Sequence, residues 1–172
     1  MRTTLVLVLL TLSAAHPAVA GAKTPPPPWT HTRPLTPGAA MLLADATTRS
    51  SIVRTLLRDL ERTDVVVFLS NSMTGSAGEP RAYLSFVSSP ASTRYLVVRI
   101  DHRRLAPFER IACLGHELRH ALEVAAAPDV KDAGGLAHLY RRIGWEDTKG
   151  RFESDAARAI GHRVRNQLFG HE

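Results

Sequence analysis

The stretch from Pro107 to Ala126 most constrains what this chain can fold into. It opens with a proline and carries no further break except Gly115, until Ala125-Ala126-Ala127-Pro128 ends it. That pattern predicts a long helix. Inside it lies Leu114-Gly115-His116-Glu117-Leu118-Arg119-His120, an H-E-x-x-H spacing. At 3.6 residues per turn, positions four apart differ by only about 40° around the axis, so both imidazoles leave one face and can share a cation. Glu117 lies about 100° from His116, too far round to join them but near enough to address a water on that cation. Ile111, Leu114, Leu118, Leu122 and Ala125 fall roughly opposite, which predicts one buried face and one face offered to a cleft.

Two neutral imidazoles plus one further protein ligand leave a coordination position open, and Zn2+ held this way brings the pKa of water toward neutrality. Glu117 then has the place of a general base that takes the water's proton and passes it to a leaving amine. The neighbours leave alternatives. Glu123, about one turn beyond His120, could orient that imidazole, bind the metal, or make a surface salt bridge; the preferred readings are orienting the imidazole or the salt bridge. Cys113, one turn before His116, could reach the same metal but reads as packing. His138, Tyr140 and His162 are candidate donors for the oxyanion of a tetrahedral intermediate, and spacing selects none of them. His162 reads as solvated, and Tyr83 and Tyr95 as strand residues.

The rest of the chain supplies a scaffold for this helix. Arg2, an apolar run over 5–12 and Ala18-Val19-Ala20 read as a signal peptide, residues 1–20. Residues 21–38, with four consecutive prolines at 25–28, read as an extended linker against which Trp29 alone docks back. The domain is expected over 39–172. Residues 39–61 predict one amphipathic helix, and 64–69 a buried strand ended by Ser70-Asn71-Ser72 and a turn region from Gly75 to Pro80. Two further strands, at 81–87 and 94–101, form a hairpin. After the long helix come a short helix near 136–143 and a last helix from about Arg151, with Phe152, Ala156, Ile160, Val164 and Leu168 as its apolar stripe. Helix, strands, then helices make an α+β domain.

Export brings an oxidising compartment, yet the chain has 1 cysteine and so no internal disulfide. Stability must come from the packed core or a bound metal. The formal charge of +6 is spread along the chain rather than gathered into a stripe with interleaved aromatics, which argues against nucleic acid as a partner. No apolar run is long enough to span a bilayer once the leader is removed, so the mature product is expected to be soluble, secreted or periplasmic.

Together the H-E-x-x-H helix and Arg151-Phe152-Glu153-Ser154-Asp155-Ala156-Ala157 resemble the zincin metallopeptidases, in particular the minimal one-domain members of the gluzincin branch. The resemblance spans about residues 40–169. It implies a small three-stranded or larger mixed sheet, an N-terminal helix, the active-site helix, and a following helix whose Glu153 is the third zinc ligand after His116 and His120. The metzincin pattern fails, because Glu123 and Ala126 stand where that branch has its Gly and third His. The resemblance further implies hydrolysis of a peptide or protein substrate lying extended along a sheet edge, with Ala82 to Val87 as that edge. Asp155 reads as pointing elsewhere or steadying the site. Two other functions fit the same residues: a non-catalytic envelope module that keeps zinc and binds a partner, and a zinc amidase acting on cell-wall peptides.

Overall fold

The computed structural model describes residues 29–71, 80–146 and 152–170. The expected signal peptide, the four prolines at 25–28 and most of the turn region from Gly75 lie outside them. The elements in chain order are β1 (Thr32–Pro34), α1 (Pro37–Arg49), α2 (Ser51–Leu60), β2 (Val65–Ser70), β3 (Ala82–Ser88), β4 (Arg94–Ile100), α3 (Pro107–Ala125), α4 (Ala133–Ile143), β5 (Trp145–Glu146), β6 (Phe152–Glu153) and α5 (Asp155–Phe169). This is a mixed α+β fold. Among the described residues no helix is long and apolar enough to cross a membrane.

The main sheet has the order β1-β2-β4-β3, and a separate ribbon pairs β5 with β6. β1 and β4 run parallel to β2, while β3 returns antiparallel along β4. Alternation sorts the two faces. Val65, Val67 and Leu69 with Leu96, Val98 and Ile100 point into the core beneath the helices. On the other face Phe68 stacks on Tyr95 at 5.7 Å, and Arg99 lies over the Tyr83 ring at 5.7 Å. β3 ends the sheet, as the resemblance implies for the strand at Ala82.

Residues 29–38 belong to this body, a correction to the expected linker. Glu61 accepts hydrogen bonds from the Thr30 and His31 amides at 2.9 and 2.8 Å and from the Thr30 hydroxyl at 2.6 Å. That anchor delivers Thr32, fully buried, opposite Val67. Pro34 is tolerated because β1 is an edge strand. Thr36 then caps α1 by accepting from the Ala39 amide at 3.1 Å.

The single helix expected over 39–61 is two. Ser50 takes an extended backbone, and its hydroxyl accepts from the Val53 amide at 3.2 Å. A side chain that competes for backbone partners starts a new helix in this way. The same hydroxyl donates to Gln167 of α5 at 2.8 Å, so the break ties the N-terminal helices to the C-terminal one.

α3 lies at the centre of the molecule. Its last carbonyls, which have no partner within the helix, receive the buried guanidinium of Arg94: Nη1 donates to Val124 and Ala127 at 2.7 and 2.6 Å, and Nη2 to Ala125 at 3.2 Å. Asp64 grips the other side of that guanidinium at 2.8 and 2.6 Å. A cation at a helix C-terminus is favourable, and this one locks the helix to β4. One face of α3 opens to a cleft at His116, Glu117 and His120, as expected, but that side is more enclosed than the sequence suggests: Gly115, Glu117, His120, Ala121 and Glu123 are buried as well, with α5 packed along part of it. Gly115 permits the approach, since a Cβ there would stand 2.8 Å from Val164 Cγ2.

α5 starts at Asp155 rather than Arg151, which lies outside the described residues. Ser154 is its N-cap, accepting from the Ala157 amide at 3.1 Å. Of the expected stripe, Val164 is buried and Phe152, Ile160 and Leu168 pack against the core, while Ala157 and Gly161 are buried in place of Ala156.

Candidate metal centre

Three elements converge where α3 passes the ribbon. α3 presents His116 and His120 one turn apart, their ring centroids separated by 4.7 Å. β6 brings Glu153, whose Oε1 lies 3.4 Å from His116 Nε2 and 3.5 Å from His120 Nε2. One donor atom from each residue falls within 4.8 Å of the others, a group that could hold a metal ion. Glu153 does not come from a helix, as expected, but from the strand just before the N-cap. Trp145 and Glu153 are directly paired across the ribbon, and Gly144 lets the chain pass so closely that a Cβ there would lie 1.9 Å from the Glu153 carbonyl oxygen.

The set fits a divalent cation on its chemistry as well as its spacing. His120 Nδ1 lies 2.9 Å from Glu123 Oε2 and 2.8 Å from the Tyr140 hydroxyl. A carboxylate only accepts, so the proton of a neutral His120 sits on Nδ1 and Nε2 is left bare toward Glu153. Glu123 is held in turn by the Ser154 hydroxyl, which donates at 2.7 Å. A ligating histidine braced by a carboxylate through its other nitrogen is the usual support of a metal site. Glu123 therefore orients His120 rather than joining the cluster, and it is buried rather than on the surface.

Electrostatics follow from this crowding. Burial and the charge of His120 push His116 down to about 4. Burial also opposes charge on His120, but the Glu123 and Glu153 carboxylates outweigh it and lift this imidazole to about 9. Burial lifts the Glu117 carboxyl to about 7, with His120 opposing and Glu153 adding to the shift. Among the described residues Glu117 has no hydrogen-bond partner, yet it lines the open space beside the cluster.

That space is a cleft of about 850 Å³. Its walls are the edge of β3 at Ala82, Tyr83 and Leu84, the ribbon at Trp145 and Phe152, and α4 at Leu136 and Tyr140. Phe152 stacks on Tyr140 at 5.8 Å. A side cavity of about 290 Å³ continues between α3 and α5, past Cys113, His162 and Arg165.

Of the candidate oxyanion donors, Tyr140 spends its hydroxyl on His120, His138 is exposed and does not line the cleft, and His162 is an exposed residue beside the side cavity. Cys113 stands outside the cluster, its thiol pushed up to about 12 by burial and by the Glu117 and Glu109 charges. Asp155 is exposed in the first turn of α5. The sequence reading missed the supports: Tyr140 as a partner of His120, Ser154 as a partner of Glu123, and Gly144. Only Ser154 carried a local signal, a serine directly before a helical run. Comparison with family models, curated proteins and solved structures finds no match to this chain.

Proposed function

We propose that this protein is an exported zinc-dependent metallopeptidase of gluzincin type, with His116, His120 and Glu153 as the metal ligands and Glu117 as the general base. One observation carries the reading: a largely buried carboxyl, with no hydrogen-bond partner among the described residues, stands beside the three-donor cluster at the wall of a cleft. A site kept for stability alone has no use for the Glu117 carboxyl, which is not one of the cluster's three donors and faces the cleft beside them. A catalytic site gains a carboxylate beside the cluster, placed to act as a general base.

Zinc at this centre supplies Lewis acidity and a more acidic water. The chain's own groups do the rest. Glu117 accepts a proton from the water that attacks the peptide carbon, the new C–O bond forms, and the C–N bond breaks. The same carboxyl then returns the proton to the leaving amine nitrogen. Glu123 and Tyr140 hold His120 in one tautomer and orientation throughout. The free edge of β3 offers backbone groups to an extended peptide, while Leu136, Trp145 and Phe152 present apolar surface to its side chains. The run of residues 5–20 supports an extracytoplasmic location.

The test is elemental analysis of the purified protein, followed by digestion of a mixed peptide library. We expect one zinc per chain, cleavage by the wild type, and at least a hundredfold loss in Glu117→Gln with zinc retained (about 10²–10⁴ for a general base). Absence of stoichiometric zinc, or cleavage unchanged by Glu117→Gln, defeats the proposal.

A further inference from the structure

Among the described residues a cation in the cleft, Arg158, has no ion-pair partner. Arg158, on the first turns of α5, lines both the main cleft and the side cavity, together with His116, Glu117 and Glu153. Its guanidinium lies over the Trp145 ring, 5.5 Å from the centroid. Stacking of this kind fixes an arginine's direction while leaving its N–H groups free to donate. Among the described residues no carboxylate lies within ion-pair distance of it. The contrast is Arg165, two turns further along α5, which also lines the side cavity but donates to both oxygens of Glu109 at 2.9 and 2.7 Å. Arg158 is close enough to the centre for its charge to count against protonation of His116.

A guanidinium that is exposed, stacked on an indole face and placed at the wall of a cleft is suited to bidentate capture of a carboxylate. The two carboxylates that share the cleft, Glu117 and Glu153, are already spoken for by the proposed reaction. We propose that Arg158 is a specificity-determining residue that binds a carboxylate of the peptide substrate next to the bond being cut, so that the protein selects acidic peptides or peptide C-termini. This rests on the peptidase reading above for its setting, though not for its binding chemistry.

The test uses the purified protein with its metal and three short peptides of one sequence: a free C-terminal carboxylate, the same peptide as its carboxamide, and a carboxamide bearing Asp at the last position. Binding is read from Trp145 fluorescence, with Trp145→Phe identifying the signal, and turnover is read as kcat/KM. The wild type should favour one or both carboxylate peptides over the plain carboxamide by about tenfold, the low end for a hydrogen bond to a charged group. Whichever carboxylate peptide is favoured names the source. Arg158→Gln should abolish the preference, mostly through KM. Arg158→Lys should restore part of it. Arg163→Gln, which removes one charge from the same helix away from the cleft, should change nothing.

A preference below twofold in the wild type, or one that survives in Arg158→Gln, overturns the proposal. If no peptide is cleaved but carboxylate binding still depends on Arg158, the peptidase reading falls and the carboxylate site stands. If cleavage occurs without that dependence, the reverse holds.

Discussion

If the proposed centre holds a metal through His116, His120 and Glu153, replacing Glu123 should loosen that metal without removing a ligand. Its carboxylate takes the Nδ1–H of His120 at 2.9 Å and the Ser154 hydroxyl at 2.7 Å, and His120 is only 6% exposed as a side chain. In Glu123→Ala, water cannot easily replace the lost oxygen, and Tyr140 is left as the one brace. A charge-assisted bond of this kind is worth about 1.5–3 kcal/mol. That corresponds to roughly 10–100-fold in metal affinity, the range known for supporting carboxylates. Glu123→Gln keeps an accepting oxygen and should fall at the low end. Competition against a chromophoric chelator measures the effect, with Glu153→Ala as the reference for outright loss of a donor. A second readout comes from protons. Because the carboxylates hold His120 at about 9 against the pull of burial, metal entry below that pH displaces a proton, and the apparent Kd should tighten about tenfold per pH unit as pH rises toward it. Glu123→Ala lowers that proton affinity and flattens the slope, so the loss is cleanest at the alkaline end. Wild-type affinity in Glu123→Ala, or a loss larger than in Glu153→Ala, would refute the assigned roles.

Gly144→Ala should cost more than tenfold in metal affinity while circular dichroism stays native, since the new Cβ meets the Glu153 carbonyl at 1.9 Å and must shift the ribbon; affinity equal to wild type would disprove the close approach (a tenfold change is about 1.4 kcal/mol). Glu109 is held below its ordinary 4.5 by hydrogen bonds from Arg165, and Asp64 below 3.8 by those from Arg94. Lowered folded values mean stability that is complete above the ordinary values and lost as pH falls through the lowered ones. Urea titrations should therefore show stability declining below about pH 4.5, and Arg165→Met should decline less; an identical acid profile would count against the pair. Ala91 has a φ of 51°, a left-handed conformation costing about 1–2 kcal/mol without glycine's freedom, so Ala91→Gly should raise the urea midpoint, and a lower midpoint would contradict this.

How far such features can be seen in advance depends on whether their cause is local. The α3 helix and the convergence of His116 and His120 follow from a 3.6-residue period, which the sequence displays directly. β2, β3 and β4 announce themselves by alternation and β-branching. β1 does not, because what draws residues 29–34 into the sheet is Glu61, some thirty positions away, and prolines on both sides mask the strand. The break at Ser50 had a local sign, two serines inside an amphipathic run, but the apolar spacing continues across it. Glu153 was reached by resemblance to a motif; its true setting, a two-residue strand, is too short to carry any periodicity. Glu123 left three roles open because i, i+3 spacing gives proximity to His120 but not which nitrogen it meets. That choice is made by Ser154 and Tyr140 from other elements.

The origin of Glu153 on the ribbon has a mechanical corollary. Two of the donors ride on α3, and the third on the β5–β6 ribbon, which follows α4 and precedes α5, in a chain whose single cysteine can form no internal disulfide. A captured ion is then a removable clasp that pins the hairpin against the trunk. Stripping it with a chelator should expose the ribbon strands Trp145–Glu146 and Phe152–Glu153 to proteases well before the trunk itself loosens, and the rate of nicking there would serve as a gauge of occupancy.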